Sequence, residues 1–146
     1  MGLSPAELKS ALHGFIGFGV TPFYQDFRIN EESFPENASR LEKHCDVVVA
    51  MGNNGEIFSL SVPQQKLVGL IVVEEIGKRK PVLVGTGFLL PDSRELAQAA
   101  ETYGADGILI LPPRYHKSND DGLFACYQAI AQSNQSRRHP LPDTRI

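Results

Sequence analysis

The feature that most constrains this chain is a rhythm: short apolar runs closed by glycine or proline recur about every 30 residues, with helix-patterned stretches between them. The runs are Phe15-Ile16-Gly17-Phe18-Gly19-Val20 before Thr21-Pro22, Asp46-Val47-Val48-Val49-Ala50-Met51 before Gly52, Pro81-Val82-Leu83-Val84 before Gly85-Thr86-Gly87, and Gly107-Ile108-Leu109-Ile110-Leu111 before Pro112-Pro113. Continuous runs of Val, Ile and Leu suit strands covered on both faces, as in parallel sheets. Between them, Phe34, Ala38 and Leu41 keep helical spacing. So do Leu96, Ala99, Ala100 and Tyr103, and Leu123, Cys126, Tyr127 and Ile130. The stretch Gln64 to Ile76 is more broadly apolar, as expected of a helix packed on a sheet. Ser61-Val62-Pro63-Gln64 and Asp92-Ser93-Arg94-Glu95 each place an oxygen cap three residues before Gln or Glu, marking helix starts. The resulting order, β-α-β-α-β-α-β-α, is an α/β fold. It fits an open doubly wound sheet or part of a closed barrel, and the pattern alone does not choose.

With 146 residues there is room for one domain with a real core, and 42% hydrophobic with 21% charged residues describes an ordinary globular protein. The net charge of −3 offers no basic face, so no nucleic-acid partner is expected. Cys45 and Cys126 have no partner at metal-ligand spacing and are read as small buried thiols of a reducing compartment. There is no signal-peptide pattern, and no apolar stretch approaches the ~20 residues that span a bilayer. A soluble, cytoplasmic protein without a membrane partner is expected. From Asn134 the chain turns polar and strandless; residues 1–133 are read as the folded unit and 134–146 as a disordered tail.

In parallel βα architectures chemistry gathers in the loops after the strands. The most specific such loop is Gly52-Asn53-Asn54-Gly55-Glu56, which is neither a dinucleotide fingerprint nor a Walker loop. Its backbone N–H groups could hold a carboxylate. A tight turn with local Asx hydrogen bonds is the plainer alternative. The loop Pro112-Pro113-Arg114-Tyr115-His116 sets a phenol, a guanidinium and an imidazole side by side. Tyr115 could relay a proton, or pack on a neighbouring subunit; His116 reads as a solvent-facing loop residue. His13, His44 and His139 show no catalytic or metal-binding pattern, and no metal site is expected.

Taken together, Thr21-Pro22-Phe23 with Asp26, Gly52-x-x-Gly55-Glu56-x-x-Ser59-Leu60, and Gly104-Ala105-Asp106-Gly107 leading into Leu111-Pro112-Pro113-x-Tyr115 resemble the dihydrodipicolinate synthase / N-acetylneuraminate lyase family of class I pyruvate aldolases. The resemblance runs from about Phe15 to Ser133. It implies the N-terminal half of a (βα)8 TIM barrel, four βα units of a fold that takes ~250 residues in full. It further implies a homo-oligomeric Schiff-base lyase, aldolase or dehydratase, acting on pyruvate or a related 2-keto acid without a separate cofactor. In the family the Gly-x-x-Gly-Glu loop holds the keto-acid carboxylate, which points to Gly52, Asn53, Asn54 and Gly55 as substrate-binding residues. Tyr115 resembles the family's proton-relay tyrosine. Asn53 and Asn54 stand where the family usually has hydroxyl side chains; backbone donation survives that change, whereas an amide is a poor proton shuttle. Arg114 stands where the family often has tyrosine.

The family's fifth strand carries a Tyr-Asn-x-Pro segment and its sixth the Schiff-base lysine, and neither segment occurs in this sequence. Lys9, Lys43, Lys66, Lys78, Lys80 and Lys117 all fall outside the expected barrel interior, where a catalytic amine must be desolvated. The expectation is a truncated, inactive form of such a lyase, with two unpaired sheet edges and an open apolar face. The alternatives are a non-catalytic half-barrel module that binds a small carboxylate or serves assembly, and an open flavodoxin-like sheet with an unrelated ligand.

Overall fold

The computed structural model describes residues 2–77, 79–87, 89–113 and 118–133. Four strands, β1 (Ile16–Phe18), β2 (Val47–Ala50), β3 (Val82–Thr86) and β4 (Gly107–Ile110), form one sheet. Every neighbouring pair is parallel and the order is β1-β2-β3-β4. A doubly wound sheet reverses its strand order and carries helices on both faces. Here the order never reverses, and side chains alternating along the strands separate two faces. Val48, Ala50, Val82 and Val84 join Phe34, Ala38, Val68, Val72, Ile76 and Ala100 in the main core. These helical residues come from α2 (Phe34–His44), α3 (Val62–Ile76) and α4 (Leu90–Thr102), so the helices cover a single face. The opposite face carries a second, smaller cluster of Val47, Val49 and Leu83 with Leu8 and Leu109 packed on it. That arrangement is the wall of a barrel, four of its βα units, and it settles the choice left open by periodicity.

Several sequence expectations shift by physical detail. Only β2 and β3 are buried throughout. β1 alternates exposed, buried, exposed, and β4 is half-buried along its length, because among the described residues each is an edge of the sheet and lacks a neighbour on one side. Strand β3 runs on through Gly85 and Thr86, which sequence had placed in the closing loop. The cap expected at Asp92 is not one. Helix α4 already begins at Leu90, because Pro91 occupies its first turn, where a missing N–H costs nothing. Asp92 falls inside that turn, where its charge complements the helix dipole. Ser61 does open α3, its N–H donating to Gln64 Oε1 at 2.9 Å. The last helix, α5 (Asp120–Ala131), is capped by Asn119, whose side chain accepts from Gly122 N–H at 2.9 Å.

An additional helix precedes β1: α1 (Pro5–Ala11), opened by Ser4 with Glu7 completing a capping box and Pro5 in the first turn. Leu8 of this helix plugs the base of the inner face, packing close enough to β4 that a side chain on Gly107 would meet it at 2.8 Å. Two aspartates fasten the same end. Asp46 donates its N–H to Phe15 O and accepts Phe15 N–H on its carboxylate, both at 2.8 Å. Asp106 repeats the ring one βα pair later, donating to Val82 O at 3.0 Å and accepting Val82 N–H at 2.9 Å. Its other oxygen accepts Leu3 N–H at 2.8 Å, which ties the entry to α1 to the sheet. The expected tail, 134–146, lies outside the described residues.

Candidate functional site

At the carboxyl end of β2 the chain leaves the sheet through Met51, buried and held at φ 59°, a left-handed conformation uncommon for a side chain of this size. It then makes two short 3-10 turns, Asn53–Gly55 and Ile57–Ser59, hinged at Glu56, which is also left-handed at φ 55°. Gly55 N–H bonds Gly52 O at 3.0 Å and Glu56 N–H bonds Asn53 O at 3.1 Å. The N–H groups of Asn53 and Asn54, first in the turn, have no acceptor among the described residues. Neither amide side chain has a hydrogen-bond partner there either, so the local Asx bonding considered from sequence is not what shapes the loop. Backbone geometry shapes it.

Three contacts hold the turn against its surroundings. Thr21, just after β1, donates its buried Oγ1 to Gly55 O at 2.7 Å. Gly55 lies so close to β1 that a Cβ would stand 2.9 Å from Gly19 O, which leaves glycine as the residue that fits. The Phe18 ring occupies the place a Cβ on Gly52 would take. From below, Gln65 in the first turns of α3 donates Nε2 to Ile57 O at 3.1 Å and Leu60 O at 2.8 Å, fixing the second turn. Sequence reading passed over Gln65. The available signal was a polar residue on the stripe Gln65, Val68, Val72, Ile76, all of which are buried.

The structure thus joins Thr21 to Gly52, Asn53, Asn54 and Gly55 at one strand-end mouth. Phe23 is not beside them in a simple loop; it starts a small hairpin, bridged to Ile29, whose tip carries Phe27 at φ 64°. Gly85 of β3 is pressed onto Met51 O, locking the exit of β2 to its neighbour. Thr86 is fully buried and its Oγ1 has no partner among the described residues. Tyr115, with Arg114 and His116, lies outside the described residues. Of the lysines that are described, Lys9 is on α1, Lys43 ends α2, and Lys66 on α3 pairs with Glu95 at 2.5 Å. Lys80 donates to Cys45 O at 2.7 Å at the opposite end of the sheet. None stands at the mouth. Among the described residues no cluster of three metal-ligating side chains occurs, and no helix is long and apolar enough to cross a membrane.

Four consecutive parallel βα units define half of a (βα)8 barrel, with a glycine-bracketed turn at the carboxyl end of its strands. Residues 11–137 match the model of the dihydrodipicolinate synthetase family, and the chain belongs to that family. It is 37% identical over 134 residues to a protein of Bradyrhizobium sp. (strain ORS 278) named probable 5-dehydro-4-deoxyglucarate dehydratase, a match covering 90% of this chain and 42% of the relative. It is 35% identical over 116 residues to the 4-hydroxy-tetrahydrodipicolinate synthase of Syntrophotalea carbinolica, covering 78% of this chain and 40% of that one. Among solved structures, the dihydrodipicolinate synthase of Bacillus clausii superposes with a TM-score of 0.80 at 29% identity, over 86% of this chain and 43% of that one. A prophage protein of the same family from E. coli K12, solved in complex with pyruvate, superposes with a TM-score of 0.79 at 28% identity, over 84% and 42%. The chain therefore spans less than half the length of these relatives.

Proposed function

We propose that this chain carries the keto-acid-holding part of a Schiff-base lyase of the aldolase or dehydratase kind, acting on pyruvate or a related 2-keto acid. The observation that carries the reading is the Gly52–Gly55 turn: two N–H groups, of Asn53 and Asn54, without an acceptor among the described residues, held at a strand-end mouth by Thr21 and by the bare backbone of Gly55. Such a nest of donors suits a carboxylate, and its geometry does not depend on which side chains Asn53 and Asn54 carry. The relatives named as a dehydratase and a synthase, and the solved family member holding pyruvate, support the substrate class. Tyr115 is assigned the proton-relay role.

Imine formation needs an amine desolvated inside the barrel. Lys9 lies on α1 at the base, Lys43 and Lys66 on the outer helices and Lys80 at the opposite strand ends, so no described lysine stands at the mouth, and the 146-residue polypeptide by itself should hold the acid without trapping it. Pyruvate titration followed by amide chemical shifts tests the first part. Asn53, Asn54 and Gly55 should respond, and Gly55→Ala should abolish the response. Borohydride reduction in the presence of pyruvate, read by intact mass, tests the second. The expected mass is unchanged, and a stable adduct on any lysine would refute the inactivity of this polypeptide. An absence of pyruvate response at the turn would remove the substrate assignment.

A further inference from the structure

Helix α3 buries a stripe of Gln65, Val68, Val72 and Ile76, on which Gln65 is the polar exception. It is 6% exposed, and its amide nitrogen donates twice to the loop after β2, to Ile57 O at 3.1 Å and to Leu60 O at 2.8 Å. Its Oε1 is buried and has no partner among the described residues. A buried carbonyl without a donor is unfavourable, and an apolar side chain on this stripe would avoid it. The position gives up that stability to grip two carbonyls of one loop. We infer that Gln65 is a positioning residue of the keto-acid site, setting the Gly52–Gly55 turn through the turn that follows it. The inference rests on the keto-acid reading of that turn.

The route from Gln65 to the donors is short. Ile57 O and Leu60 O bracket the second 3-10 turn, Ile57–Ser59, and the Ile57 side chain is fully buried. Glu56 closes the first turn and opens the second, its N–H bonded to Asn53 O at 3.1 Å and its carbonyl accepting Ser59 N–H at 2.8 Å. The second turn is pinned from α3 and Gly55 is pinned by Thr21, so Glu56, left-handed at φ 55°, is held between two fixed points. The N–H groups of Asn53 and Asn54 then keep one direction, the preorganisation that an anion-binding nest requires. A neutral amide suits the task. It donates to two carbonyls without setting a negative charge behind a carboxylate site, which a glutamate would do.

The test compares the 146-residue chain with Gln65→Met, Gln65→Glu and Val72→Ala, the last on the same stripe but farther from the loop. Hydrogen exchange is read at Gly55 and Glu56, whose N–H groups close the first turn, and pyruvate binding is read from the amide shifts of Asn53 and Asn54. Circular dichroism keeps both readings to conditions in which each variant is folded. Gln65→Met should speed exchange at both amides and weaken pyruvate binding about tenfold or more, whereas Val72→Ala should leave the affinity unchanged. Gln65→Glu adds a signature in pH. Burial raises its carboxyl pKa; protonated, it still donates to one carbonyl, and ionised it repels both. Its pyruvate affinity should therefore fall as pH rises from about 5 to about 8, while that of the wild type stays flat. The inference is overturned if Gln65→Met exchanges Gly55 and Glu56 at the wild-type rate or binds pyruvate as tightly as the wild type. It is equally overturned if Val72→Ala weakens pyruvate binding as much, or if Gln65→Glu shows no pH dependence. Faster exchange in Gln65→Met with no pyruvate response in the wild type removes the keto-acid reading alone, and the positioning of the turn by Gln65 stands.

Discussion

The two ends of this sheet are built on different terms. At the base, the starts of the strands are fastened by side chains: Asp46 to Phe15, Asp106 to Val82 and Leu3, Lys80 to Cys45 O, and Arg79 to Glu42 at 2.7 Å. The hydrogen bond from Arg79, helped by its charge, holds the Glu42 carboxyl below its ordinary range and raises Arg79 in turn. At the mouth, beyond the bonds from Thr21 and Gln65, the strand ends are fitted by the absence of side chains. Gly55 lies on Gly19 O, Gly85 on Met51 O, and Met51, Glu56 and Phe27 adopt left-handed backbone. The base spends its polar groups on holding backbone. The mouth leaves backbone donors without acceptors among the described residues and accepts strain to place them, which is the division that the keto-acid reading proposed above calls for.

The comparison can be broken most sharply at Gly85. A methyl there collides with the Met51 carbonyl, a backbone atom that cannot swing aside, so Gly85→Ala should cost about 3 kcal/mol in urea unfolding. A near-neutral result would mean that the mouth is loosely fitted and that close backbone packing is not its organising feature.

The base should yield in a graded way. Asp106→Ala removes the acceptor of the buried Val82 N–H and of the part-buried Leu3 N–H and should cost about 2 kcal/mol. Asp46→Ala removes the same kind of bond from Phe15, where both partners are exposed and water can replace it, so about 1 kcal/mol or less is expected. Equal losses would show that the two rings act as one repeated device irrespective of burial.

This contrast also explains how much was legible in the sequence. The runs Val47–Ala50 and Val82–Val84 announce central strands because burial on both faces leaves an unbroken apolar signature. The same inference overreached at β1 and β4, since a run of apolar residues does not say whether a neighbour is present to cover it. Strand order, which separates barrel from open sheet, is a long-range property that local periodicity does not encode. The Gly52–Gly55 turn was found from its glycines, but its supports were not. Thr21 reaches it from 34 residues away through one hydrogen bond to Gly55 O, and Gln65 holds the turn that follows through two, to Ile57 O and Leu60 O; bonds to carbonyls leave no pattern. Helix α1 did leave one, Ser4-Pro5-x-Glu7, and was missed because its seven residues bury no full stripe.

A smaller effect, opposite in sign, is expected at the mouth hairpin. Phe27 is 84% exposed and left-handed, so its ring gains little burial while its backbone is strained. Phe27→Gly removes the strain and should stabilise the chain by about 1 kcal/mol, read as a higher urea midpoint with an unchanged slope. A loss of stability would mean that the exposed ring contributes contacts that outweigh the conformational relief.

The finest test lies back at the base, where one polar atom escapes the pattern. Tyr103, closing α4, turns its hydroxyl against Gly69 of α3, buried and without a partner among the described residues. Desolvation raises its pKa from 10.0 to about 12. Below pH 10 the phenol is protonated in both folded and unfolded chains and contributes no pH dependence. Between about 10 and about 12 the unfolded chain gives up the proton first, so stability falls as pH rises through that window. Tyr103→Phe should flatten that fall and, by removing an unsatisfied hydroxyl, leave neutral-pH stability unchanged or slightly higher. Ultraviolet titration should show a late-ionising phenol in the native protein that is lost in Tyr103→Phe. If Tyr103→Phe is instead destabilising at neutral pH, the hydroxyl has a partner, and the base is as fully fastened at α4 as it is at Asp46 and Asp106.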